Sequence, residues 1–183
     1  MTNDKLTNTV LYLLRRAPHA GLTKLLKLIY FTDYHHYQRH LAPVTGVTYV
    51  ALERGPAMDR YEEKLAAIES TKAIEHIDVA VFGCEKLKRE YTAKIRPNTD
   101  AFSEAELETL AYVVQRYGGM SGRKLSRMTH EEYLPWSLVW DATWQGREIP
   151  LSLFRWSDNM PSEETVAKAK SRLANIDLSE MVD

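Results

Sequence analysis

Three side chains in one stretch have the types and spacing of a metal site. Asp33, His36 and His40 fall at i, i+3 and i+7 within LTKLLKLIYFTDYHHYQRH, and on a helix they share a face. A zinc hydrolase asks for more, since H-E-x-x-H places a glutamate beside the first histidine and no second cluster here adds a further ligand. The expectation is a polar helix face and no metal. Cys84 with a histidine would be a nucleophile and its base, but it falls in an expected hairpin turn with no motif around it, so it reads as an ordinary free thiol. Gly55, following Arg54, would head a helix whose unpaired N–H groups suit a phosphate. The run GPAMDR lacks the glycine richness and the Lys-Ser/Thr of a phosphate loop, and Pro56 removes one donor. Acid–base groups and nucleophiles are scattered without a constellation, so no catalytic residue and no cofactor is expected.

Two further stretches could bind a macromolecule. Residues 107–129 imitate a helix-turn-helix, with a Gly-Gly-Met turn and then Arg123, Lys124 and Arg127 on the second helix. The balanced charge of the chain and the lack of another basic arm count against specific DNA binding. Trp136, Trp140 and Trp144 recur every four residues in PWSLVWDATWQ. On one helix they share a face, which serves as core or as a protein-binding groove, because Trp and Arg dominate interface hot spots. Tyr30, Tyr34 and Tyr37 raise the same alternatives.

The elements that would position these residues follow from local pattern. In GVTYVALERGPAMDRYEEKL, residues 46–65, the alternation of Val47, Tyr49 and Ala51 with Thr48, Val50 and Leu52 predicts a strand. Gly55 then permits a hinge, and Pro56 suits the first position of a helix carrying Ala57, Met58, Tyr61, Leu65 and Ile68 on its inner face. Upstream, residues 5–16 and 22–40 predict two helices, the second apolar nearly all round and therefore central. Residues 73–82 and 87–95 predict two strands joined by a turn at 83–86, and with 47–54 they would make one antiparallel sheet. Ser103 and Glu106 form a capping box for a helix ending at Gly118-Gly119. Short helices are expected at 121–129, from Pro135 to Gly146 and from Ile149-Pro150, with a last one after Pro161-Ser162. The sum is a mostly helical α+β chain of about six to eight helices with a small antiparallel sheet of about three strands.

Composition sets the limits. The 183 residues are 44% hydrophobic and 10% aromatic, enough for a core and consistent with a single domain spanning 1–183. With 24 basic and 25 acidic residues the net charge is −1, so no general attraction to nucleic acid or anionic membrane follows. A single cysteine suits a reducing cytoplasm. No apolar run reaches membrane-spanning length, and the first residues have the reverse of a secretory charge pattern, so a cytoplasmic location without a membrane is expected.

An ordered series of residues resembles a known family. KLLKLIYFTDYHHYQRHLAPVTGVTYVALERGPAMDRYEEKL and FSEAELETLAYVVQRYGGMSGRKLSRMTHEEYLPWSLVW are similar to the two halves of the Panacea, or SocA-like antitoxin, domain. The likeness spans about residues 22–154, leaving 155–183 as a helical extension. It is carried by Gly46, Tyr49, Gly55-Pro56, His130 and Pro135-Trp136. The resemblance implies a bacterial or phage antitoxin that neutralises a cognate protein toxin, encoded next to it, by direct contact. Family members face chemically unrelated toxins, so the motif marks the scaffold. Gly46, Gly55, Pro56, His130, Pro135 and Trp136 would then be architectural, His130 as a hydrogen-bonded core residue. Toxin contacts are expected at Tyr49, Glu53, Arg54 and Asp59, with Trp140 and Trp144 as the candidate groove. The alternatives are an adaptor handing the partner to a protease through the acidic tail 176–183, or a DNA-binding regulator using 107–129.

Overall fold

Lys24 through Tyr34 form an unbroken run of eleven buried residues, which only a helix surrounded on all sides produces. In a computed structural model, which describes residues 4–17, 20–80, 87–131 and 134–158, this helix is the axis of the molecule. The described elements, in chain order, begin with α1 (Asp4–Arg16), α2 (Leu22–His40), β1 (Tyr49–Leu52), β2 (Gly55–Met58) and α3 (Tyr61–Ser70). They continue with β3 (Ile74–Val79), β4 (Lys88–Ala93), α4 (Glu104–Tyr117), α5 (Gly122–Thr129), α6 (Pro135–Val139) and β5 (Glu148–Ile149). Short 3₁₀ turns lie at Thr99–Ala101 and Leu151–Asp158. Helices α1, α4 and α5, strand β2 and the 3₁₀ segment Leu151–Asp158 all pack on α2. The chain is α+β and mostly helical, with six α-helices among the described residues.

The sheet differs from the expected one in membership. Residues 73–82 and 87–95 do contain strands, but β3 and β4 form a separate two-stranded sheet, with β4 also bridged at Glu90 to Gly21. The three-stranded sheet is antiparallel, in the order β2-β1-β5. Gly55-Pro56 therefore opens a strand, and the following helix starts at Tyr61 instead. The reason lies in the turn. Neither Glu53 nor Arg54 has positive φ, while Gly55 sits at φ +95°, as in a turn closed by a glycine bulge. Pro56 then faces Ala51. The Ala51 N–H donates to the Arg147 carbonyl and its C=O accepts from Gly146, both at 2.8 Å. Those bonds point to the β5 side, so at the Ala51–Pro56 pair the β2 backbone points away from β1, and no ladder bond is lost to proline.

The third strand is made from residues expected to continue a helix. Helix α6 stops at Val139, and Trp140 is already extended at φ −61°, ψ 127°. Asp141 accepts from the Thr143 amide and hydroxyl at 2.8 and 2.7 Å, a local turn that competes with helix. Gly146 at φ +85° then turns the chain onto β1. Trp144 accordingly leaves the face shared by Trp136 and Trp140. Residues 107–129 do form two helices joined by the Gly-Gly-Met turn, with Leu125 and Thr129 of α5 buried and α5 packed on α2 and β2. The capping box of α4 is present, with Glu106 also bound by Lys5 Nζ at 2.6 Å. The turn 83–86, Cys84, the helix after Pro161-Ser162 and the tail 176–183 lie outside the described residues.

One buried carboxylate ties α2 to the sheet. Asp33, with no exposed surface, accepts at Oδ1 from the Val44 and Thr45 amides, both at 2.8 Å. Its Oδ2 accepts from the Thr45 hydroxyl and, at 2.7 Å, from the Tyr49 hydroxyl. Burial pushes the Asp33 carboxyl above its ordinary range, and these donors pull it back. Gly46, at φ +67°, gives the loop its reversal directly after Thr45. Tyr49 also stands edge-on to Tyr30 at 5.3 Å, beside the wholly buried Phe154, which fastens the segment Leu151–Asp158 to α2. Replacing Asp33 by Ala would strand these buried donors, and a loss of about 2–4 kcal/mol is expected. Urea unfolding of Asp33→Ala beside the parent checks this, and an unchanged midpoint would show that the loop holds itself.

Candidate functional site

The hairpin formed by β1 and β2 has a four-residue ladder, too little to be rigid alone. Its tip is held from outside by three helices. The Leu52 carbonyl accepts from Trp136 Nε1 on α6 at 2.8 Å. The Arg54 carbonyl accepts from the Ser126 hydroxyl on α5 at 2.5 Å. The Pro56 carbonyl, turned away from the ladder, accepts from Lys27 Nζ on α2 at 2.6 Å. Alternate carbonyls at 52, 54 and 56 are thus each fixed by a side chain, while the side chains of Glu53 and Arg54 remain exposed.

Crowding around Gly55 explains why no side chain fits there. A Cβ would come within 2.5 Å of Thr129 Oγ1, 2.8 Å of Lys27 Nζ and 3.1 Å of His130 Nε2. Lys27 is 2% exposed, and burial lowers its ammonium from the ordinary lysine value to about 7. His130 is lowered as well, first by the partial loss of water around a ring pressed onto Trp136 and then by Lys27, against a hydrogen bond with the Arg54 backbone. Its ring lies flat on Trp136, at 3.9 Å and 8°, and Trp136 lies on Trp140 at 5.1 Å and 17°. His130 itself is exposed. The expected core histidine is therefore a surface ring stacked over the tryptophan that holds the tip.

The family model described as "Antitoxin SocA-like, Panacea domain" matches residues 25–137. The chain belongs to this family. Membership supports an antitoxin role and implies a toxin partner. No curated protein and no solved structure matches the chain. The matched stretch contains both ends of the clamp, from Lys27 and Asp33 to Trp136. Among the described residues no helix is long and apolar enough to cross a membrane.

Within this Panacea chain the family residues gather at two places. Gly46 and Tyr49 belong to the Asp33 knot, while Gly55, Pro56, His130 and Trp136 belong to the tip; Pro135 sets the first turn of α6. Of the expected toxin contacts, Tyr49 is withdrawn from the surface altogether, with 0% exposure and its hydroxyl on Asp33. Glu53 and Arg54 are exposed, Asp59 half-buried, and Trp140 half-buried beside the tip. Trp144 is 63% exposed and pairs with the Arg147 guanidinium at 4.6 Å. Asp33, His36 and His40 do not converge: Asp33 faces the loop, His36 Nδ1 pairs with Thr109 Oγ1 at 3.0 Å, and His40 lies beside the His36 ring. Lys27 and Ser126 are the parts of the site that sequence reasoning missed. A lone lysine inside the apolar run LLKLIYF is the signal that marks Lys27, since such a charge needs a buried partner.

Lys27 has a lower pKa in the folded chain than in the unfolded one, near 10.4. Between these values the unfolded state holds more protons, so stability rises with pH above about 7. Below 7 the penalty of the buried charge is present in full. The expected gain approaches about 1.4 kcal/mol per pH unit, and Lys27→Met removes it. Urea unfolding of both proteins at pH 6 to 9.5 reads the difference, and parallel curves would refute a neutralised lysine. Gly55→Ala combines a strained φ with the clash above, and a cost of about 2–4 kcal/mol is expected from thermal unfolding.

Proposed function

We propose that the chain neutralises a protein toxin by direct stoichiometric contact, without turnover or cofactor, and that the hairpin tip is part of the contact surface. The observation that carries this reading is the contrast at the tip. Three helices hold its backbone, while Glu53 and Arg54 are presented to solvent. A surface fixed before binding loses little entropy on association. Asp59, Trp140 and Trp144 would extend the face toward the size of a stable complex, on the order of 1,600 Å² in total. Exposed tryptophans and arginines are the residue types that dominate such interfaces. The partner is expected to be encoded by an adjacent gene and to meet this protein in the cytoplasm.

Growth of bacteria expressing the neighbouring small reading frame, with and without this protein, tests the function, and co-purification tests the contact. Toxicity relieved by a co-purifying protein is the expected result. The double variant Glu53→Lys/Arg54→Ala should lose rescue by at least about tenfold in surviving cells, corresponding to one lost anchor, with an unchanged melting temperature. Full rescue by the variant would move the contact surface elsewhere.

A further inference from the structure

The outer face of the three-stranded sheet carries a recess of about 280 Å³. That is just under the range of about 300–1,000 Å³ for sites that enclose a drug-sized ligand, and it suits one long side chain. Its floor is apolar, made by Val50 and Leu52 of β1; Met58 of β2 borders it, with its side chain buried on the other face beside its partner Tyr49. Its rim is residue 59 and the first turn of α3, with three carboxylates, Asp59, Glu62 and Glu63, to one guanidinium, Arg60. Glu148 stands on the same sheet face, directly across from Val50. In a chain whose charges balance at 24 to 25, this is a local acidic excess.

Two nearby cations are partly engaged elsewhere. Lys64 Nζ donates to the Asp59 carbonyl, and Arg89 hydrogen-bonds Tyr91 while its charge also attracts Glu62. Arg60 is held more loosely. Its backbone is left-handed, at φ 47° and ψ 44°, a conformation that costs a non-glycine residue energy and that clusters at functional surfaces. Its Nε lies 3.4 Å from Asp59 Oδ2 and its Nη1 3.7 Å from Glu63 Oε2, with 67% of the side chain exposed. Such long, wet ion pairs are weak and readily exchanged. The chain thus places a guanidinium of its own, loosely, where an incoming cation would bind.

We propose that this recess receives one arginine or lysine side chain of the toxin. Its methylene stem lies on Val50 and Leu52, and its charged end takes the place of Arg60 between Asp59 and Glu63. Long cationic side chains bury their stems and keep their heads at a polar rim in this way. The identity of the partner rests on the antitoxin reading, whereas the chemistry of the recess does not.

The test is an amide-resolved NMR titration of the full chain with N-acetyl-arginine amide, and with N-acetyl-glutamate amide as control. The expected result is saturable shifts confined to residues 50–63 and 146–148, for the arginine probe alone. Arg60→Asn, which keeps the left-handed backbone and removes the competitor, should tighten the probe about threefold; Glu62→Gln/Glu63→Gln should weaken it about threefold. Scattered or absent shifts, an equal response to the glutamate probe, or the same affinity in both variants would overturn the proposal. The two readings fail separately. A harmless neighbouring gene with the probe still bound at the recess leaves the site standing and removes the antitoxin role. Rescue of a toxic neighbour with no probe response removes the site.

Discussion

The fold depends on two charges buried in one helix. Lys27 and Asp33 lie six residues apart on α2, about 9 Å along its axis, within a run that is otherwise nearly all apolar. A charge removed from water costs several kcal/mol unless it is paired or hydrogen-bonded. Both are satisfied by the same hairpin. Asp33 accepts from the backbone of the loop that enters β1, and Lys27 donates to the backbone of β2 as it leaves the turn. One needs donors and the other an acceptor, so the hairpin docks on α2 in one direction only. Burial that raises Asp33 and lowers Lys27 is the cost of that specificity.

The remaining constraints follow from docking. Once Lys27 takes the Pro56 carbonyl, β2 must be an edge strand on its α2 side, where a residue without N–H is tolerated. The space between Lys27, Thr129 and His130 then excludes any side chain at 55. Trp136 and Ser126 bind the two carbonyls that Lys27 does not reach. Gly55-Pro56, His130 and Trp136 therefore express one requirement, a tip whose backbone is satisfied from outside its own ladder.

Helices were legible in the sequence wherever a cap and an apolar period coincide. The bounds of α2 and the Ser103–Glu106 capping box of α4 are examples, and the alternation in 47–54 marked β1. The errors fall where a distant partner decides. Gly55-Pro56 before Met58, Tyr61 and Leu65 satisfies the rule for a helix start, and nothing local reveals that the Pro56 carbonyl will meet a lysine 29 residues earlier. The spacing of Trp136, Trp140 and Trp144 has helical period, yet the chain beyond Val139 is drawn onto β1 by bonds between Ala51 and residues 146 and 147. Alternation in β1 likewise announces one buried face without saying which, so Tyr49 could be placed with the surface residues. The acid-rimmed recess could not be read at all, because β1, β2 and the start of α3 form it only after the hairpin has folded back.

This division has a consequence for recognition. At the tip, the groups that fix shape are carbonyls and the side chains that bind them from beneath, whereas the side chains of Glu53 and Arg54 stay outside the clamp. Substitutions at those two positions can alter what the surface attracts without disturbing the bonds that hold it. Shape is set by Lys27, Ser126 and Trp136, and chemistry by residues free to differ. A partner pressing on the tip would have to displace three helices to deform it, so on the proposed reading the tip binds in the shape it already has. On that reading, the arrangement separates the scaffold from its target and leaves specificity to the exposed turn and the rim of the recess.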